Sequence, residues 1–248
     1  MTTTRRFSVL EAILAVVAKI DPAARAVARA HGLGLSRYPR LAVIVQAVRD
    51  PFSRAGVVES EGLTGQDYTT NPVEVERHRL ATKLLDRVRD GASLGRVLEI
   101  ACAEGVFTEM LAPHCDALLS VDFSATALAQ ARRRCGTLRN VSFGLWDVRK
   151  DLPPDQFDVT VVMDVLTLIR RPARLRAVIE KLVANLRPDD LLFVGDYRWK
   201  KFLEDSRLGR HLLFGGKWVL RELASHQQLE TVEQASTETH VFAVFRKR

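Results

Sequence analysis

Two acidic side chains stand at the ends of two successive strand-like segments, where carboxylates can bind hydroxyl or amino groups. Glu99 lies near the end of the apolar run RVLEIA, and Asp122 follows 23 positions later within ALLSVDF. A carboxylate at the tip of a second parallel strand can accept hydrogen bonds from both hydroxyls of a ribose. A glycine-rich turn with an acid about twenty residues further on is also typical of NAD-binding units. The spacing therefore indicates a nucleoside cofactor and leaves its identity open.

The turn after Glu99 has small residues at alternate positions, Ala101, Ala103 and Gly105. Small residues let the backbone approach a ligand closely. Because alanine adopts a positive φ only at an energetic cost, we expect negative φ at both alanines and any special geometry at Gly105. A diphosphate is bound through a G-x-G-x-x-G turn at a helix N-terminus, and this turn has too few glycines for that pattern. The turn therefore disfavours NAD.

The segments VLEIACAEGVFTEML and LLSVDFS resemble the first two motifs of class I S-adenosylmethionine-dependent methyltransferases. The first motif of that family is an acid followed by glycines at alternate positions, and here alanine replaces two of the three glycines. Cys102 and the following FTEML are similar to the branch around the nodulation N-methyltransferase, whose motif has the form E-x-G-C-x-x-G-x-F-T. The resemblance covers Tyr68 to the C-terminus and implies S-adenosylmethionine as cofactor and S-adenosylhomocysteine as product.

The resemblance implies a role for each cofactor-binding residue. Glu99 anchors the amino group of the cofactor, or alternatively caps a neighbouring helix; Asp122 binds the ribose. Phe123 lies against the adenine, Asp147 and the N–H of Val148 bind its edge, and Asp164 lies near the methionine part or the incoming acceptor. The implied cofactor-binding residues are Tyr68, Glu99, Ala101, Cys102, Gly105, Asp122, Phe123, Asp147, Val148 and Asp164.

The implied reaction is an in-line displacement in which a lone pair of the acceptor attacks the methyl group, and alignment supplies most of the catalysis. A neutral amine needs little further help, whereas a hydroxyl benefits from a general base such as histidine. We assign no catalytic residue. The candidate acceptor-binding residues are His78, Asp196, Tyr197, Arg198 and His211.

Alternating strands and helices from Arg96 onward predict a parallel sheet covered on both faces. The segments LETVEQAST and HVFAVFRKR are adjacent with no helix between them, which predicts a C-terminal antiparallel hairpin. We therefore predict an α/β fold with the Rossmann-like seven-stranded methyltransferase sheet, over residues 67–248. Residues 1–66 are predicted to be a helical appendage and lid, which either closes over the pocket or forms a homodimer surface.

Composition favours a soluble globular enzyme. The chain has 248 residues, 47% of them hydrophobic, and a formal net charge of +7, which falls short of a dedicated nucleic-acid module. Three cysteines without a C-x-x-C spacing predict reduced thiols, a cytoplasmic location and no metal site. The N-terminal apolar run is interrupted by Glu11 and Lys19 and is too short to cross a membrane.

We therefore predict methyl transfer to an O or N atom of a small molecule, in specialised (natural-product) metabolism. The basic segment from Trp199 to Trp218 predicts a rim that attracts an anionic acceptor, unless it is only a solvated helix and loop. One alternative is a nucleic-acid methyltransferase, which the residues after Asp164 disfavour because they contain neither a metal-binding histidine motif nor an Asn/Asp-Pro-Pro-aromatic motif. The other alternative is a non-catalytic scaffold that has lost the cofactor.

Overall fold

The structure is a computed structural model that describes residues 72–169, 172–198 and 215–248. The predicted N-terminal appendage, its boundary, and the positions of Tyr68 and His211 lie outside these residues. Within them, the helices are α1 (Pro72–Val88), α2 (Val106–Leu111), α3 (Ala125–Arg134), α4 (Pro172–Asn185) and α5 (Gly216–Ala224). The strands are β1 (Arg96–Ile100), β2 (Ala117–Asp122), β3 (Val141–Leu145), β4 (Val159–Met163), β5 (Leu191–Tyr197), β6 (Leu229–Ser236) and β7 (His240–Lys247).

All seven strands join one sheet in the order β3-β2-β1-β4-β5-β7-β6. The first five run parallel, and β7 runs antiparallel to both β5 and β6. Because the strand order reverses between β1 and β4, the carboxyl ends of these two strands flank the crevice where open α/β sheets bind ligands. The predicted fold, including the terminal hairpin, is confirmed.

Helices cover both faces of the sheet, as the continuous apolar strands require. On β1, Val97 packs with α1 and α2 on one face, whereas Leu98 packs with α4 and α5 on the other. Helix α5 was not predicted; its first three residues lie in the segment from Trp199 to Trp218 that was predicted as a basic rim. Trp218, Val219 and Leu223 of α5 are nevertheless buried in the core. No helix among the described residues has the length and apolarity that crossing a membrane requires.

The hairpin matters for the site because β7 runs against the parallel strands. The first residue of β7, His240, is therefore the register partner of Tyr197 at the end of β5. Since β1, β2, β4 and β5 all end at this edge of the sheet, the start of β7 lies at the same edge as their carboxyl ends.

Candidate active site

The turn after β1 adopts left-handed backbone conformations at each of its small residues. The φ angles are 63° at Ala101, 47° at Ala103 and 78° at Gly105. The expectation of negative φ at the two alanines is therefore wrong, while the special geometry of Gly105 is confirmed. The N–H groups of Ala101 and Cys102 both donate to the carbonyl of Val121, at 2.7 and 3.1 Å. These bonds hold the turn against β2 and oppose a cost of about 1–2 kcal/mol for each alanine.

Gly105 lies where α2 approaches α3 most closely. A Cβ at this position would lie 3.0 Å from Cβ of Ala131 and 3.3 Å from Sγ of Cys135. A side chain is thus excluded both by the positive φ and by the neighbouring helix. Cys102, also in the turn, is buried, and burial raises the pKa of its thiol, so it is a neutral packing group rather than a nucleophile.

Glu99 lies beneath this turn and is fully buried. Its Oε2 accepts hydrogen bonds from Thr108 Oγ1 at 2.6 Å and from Ser120 Oγ at 2.7 Å. Burial raises the pKa of Glu99 to about 7, although both hydroxyl bonds act in the opposite direction. Glu99 therefore ties α2 to β2 through side chains. A role toward the amino group of the cofactor stays a prediction.

Asp122 fastens the turn to the end of β2 and is only 6% exposed. Its Oδ2 accepts from the N–H of Ala103 at 3.0 Å, and its Oδ1 accepts from the N–H of Ser124 at 2.8 Å. Burial raises its pKa, while these backbone bonds lower it. Ser124 Oγ in turn accepts from the N–H of Ala127 and caps α3.

Phe123 and Asp147 are brought together at the ends of β2 and β3, as the adenine assignment requires. Between them lies Arg149, which the sequence did not indicate. Its Nε and Nη2 donate to the two carboxylate oxygens of Asp147 at 2.7 and 2.9 Å, and its guanidinium stands 5.4 Å from the centre of the Phe123 ring. These hydrogen bonds lower the pKa of Asp147. Val148, next in the chain, packs against the core.

A second group of polar side chains surrounds Arg77 of α1, beside β4 and β7. One terminal nitrogen, Nη1, pairs with Asp164 Oδ2 and lies 3.4 Å from His240 Nε2. The other, Nη2, lies 2.8 Å from Glu74 Oε2 and 2.9 Å from His78 Nε2. We call these five residues the Arg77 cluster. It combines one guanidinium, two carboxylates and two imidazoles.

The Arg77 cluster adjoins the turn after β1. The ring of His78 stacks on Phe107 of α2, with 5.1 Å between ring centres. Asp164 follows β4, has a φ of 54°, and donates its N–H to the carbonyl of Gly195 on β5. The cluster thus occupies the carboxyl edge on the other side of the switch point from Asp122 and Asp147.

Both histidines of the cluster are neutral. Burial, followed by the positive charge of Arg77, lowers the pKa of His78 to about 3 and that of His240 to about 4. Three carboxylate or imidazole atoms of the cluster are buried and make no hydrogen bond within the described residues: Glu74 Oε2, His78 Nδ1 and Asp164 Oδ1. Asp164 Oδ1 lies 3.3 Å from His240 Nε2, while the Asp164 side chain as a whole is 32% exposed.

The residues at the end of β5 and just after it differ in burial and in their partners. Asp196 is fully buried; its carboxylate accepts from the N–H and Oγ1 of Thr167 and from the N–H of Tyr197, and burial raises its pKa to about 6. It holds the turn after β4 and is not available to an acceptor, contrary to prediction. Tyr197 is 48% exposed and stands edge-on to His240 at 5.3 Å. Arg198 donates to the carbonyl of Thr237.

Sequence reasoning missed Arg77, Glu74, His240 and Arg149. The predicted hairpin contained the signal for His240, because an antiparallel β7 must start beside the end of β5. Arg77 precedes the predicted His78, but nothing local indicates its four partners. Within the described residues, no group of three His, Cys, Asp or Glu side chains could hold a metal ion.

Comparison with known proteins supplies the family. The sequence model described as "Nodulation protein S (NodS)" matches residues 58–239. The chain belongs to the NodS family. It is 36% identical to nodulation protein S of Bradyrhizobium diazoefficiens over 142 residues, which are 57% of this chain and 68% of that protein. It is 35% identical to nodulation protein S of Rhizobium tropici, over 52% of each chain.

Solved structures agree with the NodS assignment. N-methyltransferase NodS from Bradyrhizobium japonicum WM9, in complex with S-adenosylhomocysteine, has a TM-score of 0.64 and 27% identity, covering 78% of this chain and 97% of that one. A complex of DhpI with the same ligand, at 23% identity and a TM-score of 0.58, covers 79% of this chain and 94% of that one and shares the fold. This NodS family member is therefore an S-adenosylmethionine-dependent methyltransferase that acts on an O or N atom of a small molecule, as predicted.

Proposed function

We propose that the enzyme transfers the methyl group to the nitrogen of a primary amine, carried by a small molecule such as an amino sugar. The observation that carries this proposal is the carboxylate of Asp164. Its Oδ2 is fixed by Arg77, its Oδ1 has no hydrogen bond within the described residues, and the side chain is partly exposed just after β4. A carboxylate in this state accepts an N–H bond and stabilises positive charge that develops on the nitrogen.

The two imidazoles favour nitrogen over oxygen as the acceptor atom. His78 Nε2 lies 2.9 Å from Arg77 Nη2, and His240 Nε2 lies between Arg77 Nη1 and Asp164 Oδ1. Because both nitrogens already face partners within the cluster, neither is available as a general base for a hydroxyl. An amine needs no base to become nucleophilic once its lone pair is free. The solved relative from B. japonicum is itself described as an N-methyltransferase.

The cofactor fits the part of the carboxyl edge that holds Asp122 and Asp147, across the switch point from the Arg77 cluster. We propose that Asp122 accepts the ribose hydroxyls, that Phe123, Asp147 and the N–H of Val148 hold the adenine, and that the turn from Ala101 to Gly105 lies along the methionine part. The three left-handed residues of that turn, all with small or no side chains, leave its backbone open to a ligand. S-adenosylmethionine supplies an electrophilic methyl group when it is bound.

The residues of this chain then have separable tasks. The Asp164 carboxylate accepts an N–H of the amine and orients its lone pair toward the methyl group. With the cofactor bound, the N–C bond would form as the bond between the methyl carbon and sulfur breaks, with S-adenosylhomocysteine as the leaving group. The same carboxylate stabilises the ammonium product, whose proton then passes to solvent. Glu99 and Asp196 are buried under the site and hold the surrounding turns.

Location and pathway are also proposals. Cys102, Cys115 and Cys135 are all free thiols, which supports a reducing, cytoplasmic compartment. Specialised metabolism is the setting that a small amine acceptor favours. A homodimer formed through the N-terminal segment stays a prediction.

The first test is calorimetric titration with S-adenosylhomocysteine and, separately, with NAD; we expect binding of the former alone. Transfer of a labelled methyl group is then measured to glucosamine oligomers, to their N-acetylated counterparts and to a phenol. We expect methylation of the free amines alone. Asp164→Asn should lower kcat/KM for the amine at least about tenfold, the loss expected for one charge-assisted hydrogen bond.

The matched control for Asp164→Asn is Asp116→Asn, an exposed acid just before β2 at the opposite edge of the sheet. This variant should match the wild type. Methylation of the phenol but not of the amines would contradict the proposed acceptor. Binding of neither cofactor would favour the non-catalytic scaffold, and binding of NAD would contradict the cofactor.

A further inference from the structure

We propose that Arg77 is the positioning residue of the acceptor site, because one guanidinium orients the Asp164 carboxylate and sets the neighbouring His78 imidazole in the Nδ1–H tautomer. This inference rests on the proposed acceptor function of Asp164. It assigns a role to a residue of α1 whose partners come from three separate elements of the fold.

The two terminal nitrogens of the Arg77 guanidinium face matching pairs of partners. Each terminal nitrogen faces one carboxylate oxygen and one imidazole Nε2: Nη1 faces Asp164 and His240, and Nη2 faces Glu74 and His78. Each terminal nitrogen of a guanidinium carries two hydrogens. Arg77 can therefore donate to all four partners at once, which a lysine with a single nitrogen at one point in space cannot do.

The tautomer of His78 follows from this geometry. An arginine side chain only donates hydrogen bonds, so His78 Nε2, 2.9 Å from Arg77 Nη2, must carry a lone pair. In a neutral ring the proton then resides on Nδ1. His240 is not fixed in this way, because its Nε2 lies between Arg77 Nη1 at 3.4 Å and Asp164 Oδ1 at 3.3 Å. For His78, Nδ1–H has no partner within the described residues, although the ring is only 3% exposed.

Arg77 thus holds two groups of the site in place, the partly exposed carboxylate of Asp164 as a hydrogen-bond acceptor and the buried, unpartnered Nδ1–H of His78 as a donor. They are fixed to opposite terminal nitrogens of one planar group, so their separation is set by the guanidinium. This arrangement suits a molecule that presents an amine and, on a neighbouring atom, an oxygen that accepts a hydrogen bond. A vicinal amino alcohol, such as a 2-amino sugar, has that chemistry.

The first test needs no substrate. Full-length protein labelled with ¹⁵N-histidine is observed by long-range ¹H–¹⁵N correlation, with His78→Phe and His240→Phe used to assign the signals. We expect protonated Nδ1 and unprotonated Nε2 for His78. A protonated Nε2 on His78 would overturn the inference, whatever the acceptor proves to be.

The second test separates positioning from cofactor binding. Arg77→Lys and Arg77→Met are compared with Arg79→Met, which removes an exposed arginine of the same helix. With glucosamine oligomers as the probe, both Arg77 variants should lose at least tenfold in kcat/KM, and S-adenosylhomocysteine affinity should change less than threefold. In Arg77→Lys, the His78 imidazole should show increased Nε2–H.

The outcomes are distinguishable. Failure of the wild type to methylate any amine contradicts the proposed function, while the tautomer measurement still decides the role of Arg77. A loss of S-adenosylhomocysteine affinity equal to the loss of activity would make Arg77 a cofactor ligand and overturn its role as a positioning residue. Wild-type activity in Arg77→Lys would overturn it as well.

Discussion

The backbone N–H of Ala103 donates to Asp122 Oδ2 at 3.0 Å, so the turn after β1 and the carboxylate after β2 hold each other in place. The predicted ribose ligand is thus also a structural element of the motif turn. A carboxylate at a strand tip is expected from sequence alone to face the surface. Asp122 is instead buried and bonded to two backbone N–H groups, so its removal should affect the fold as well as the cofactor.

Asp122→Ala should therefore reduce both stability and cofactor affinity. Loss of two charge-assisted backbone bonds should lower the free energy of unfolding by about 2–4 kcal/mol. Asp116→Ala is the control, because it removes an exposed acid that accepts from Ser93 Oγ beyond the other end of β2. Urea unfolding and calorimetry with S-adenosylhomocysteine measure the two effects. Equal stability of the two variants would contradict the structural role.

Replacing the alanines of the turn by glycine should not destabilise the protein. Ala101 and Ala103 have positive φ, so glycine relieves strain that roughly offsets its greater freedom in the unfolded chain. We expect each variant to change the free energy of unfolding by between zero and about +1 kcal/mol. Ala177→Gly, on an exposed position within α4, should instead lose about 1 kcal/mol. Similar losses at all three sites would argue against left-handed alanines.

Gly105→Ala should be more damaging than the φ angle alone explains. Gly91 has nearly the same φ, 73° against 78°, but nothing lies within 4 Å of its missing Cβ. Gly91→Ala should therefore lose about 1–2 kcal/mol of stability. Gly105→Ala adds overlap with Ala131 and should lose a further 1–3 kcal/mol, about the cost of overpacking. Thermal unfolding of the pair gives the difference, and equal losses would refute close packing of α2 on α3.

Glu99 should make the protein less stable as pH rises. Its pKa is about 7 in the folded chain against an ordinary 4.5, so the folded state retains the proton over this interval. Stability should fall between about pH 4.5 and about pH 7, by at most about 3 kcal/mol, and then level off. Glu99→Gln removes this slope.

Urea unfolding at about pH 5 and about pH 8 checks the prediction for Glu99. Glu230→Gln, at an exposed position on β6, is the control and should keep the slope of the wild type. A slope that persists in Glu99→Gln would assign the pH dependence to another group.

Arg149→Ala should strengthen binding of S-adenosylhomocysteine. In the structure, Arg149 donates hydrogen bonds to both carboxylate oxygens of Asp147 and lies over the ring of Phe123. These are the groups that we propose bind the adenine. A partly exposed ion pair is worth about 0.2–1 kcal/mol, so its removal should tighten binding up to about fivefold. Lys150→Ala removes a neighbouring positive charge without touching these groups and should leave the affinity unchanged. Weaker binding to Arg149→Ala would show that the guanidinium stacks on the adenine.

The strands and the terminal hairpin were predictable because they depend on local patterns. Buried parallel strands appear as short apolar runs, and LETVEQAST beside HVFAVFRKR leaves no room for a helix. Acids at strand ends were predictable for the same reason. Helix α5 was missed, although the spacing of Trp218, Val219 and Leu223 indicates one apolar face.

The features of the fold and of the site that were not predicted depend on contacts that local sequence does not encode. Positive φ at Ala101 and Ala103 is imposed by hydrogen bonds to β2, which outweigh the preference of alanine. The Arg77 cluster joins α1 to β7 across 163 positions of sequence. Asp196 was placed at the correct edge, but whether it faces the acceptor or the turn at Thr167 depends on packing, not on position in the strand.

The position of β7 between β5 and β6 has a consequence for synthesis on the ribosome. The chain leaves the exit tunnel in sequence order, so β5 emerges well before β7, its sheet partner on that side. Until β7 arrives, the outer edge of β5 presents unpaired N–H and C=O groups, flanked by Phe193 and Val194 of the future core. The nascent chain is therefore open to edge-to-edge pairing with other nascent chains during that interval, and chaperone capture is needed most there.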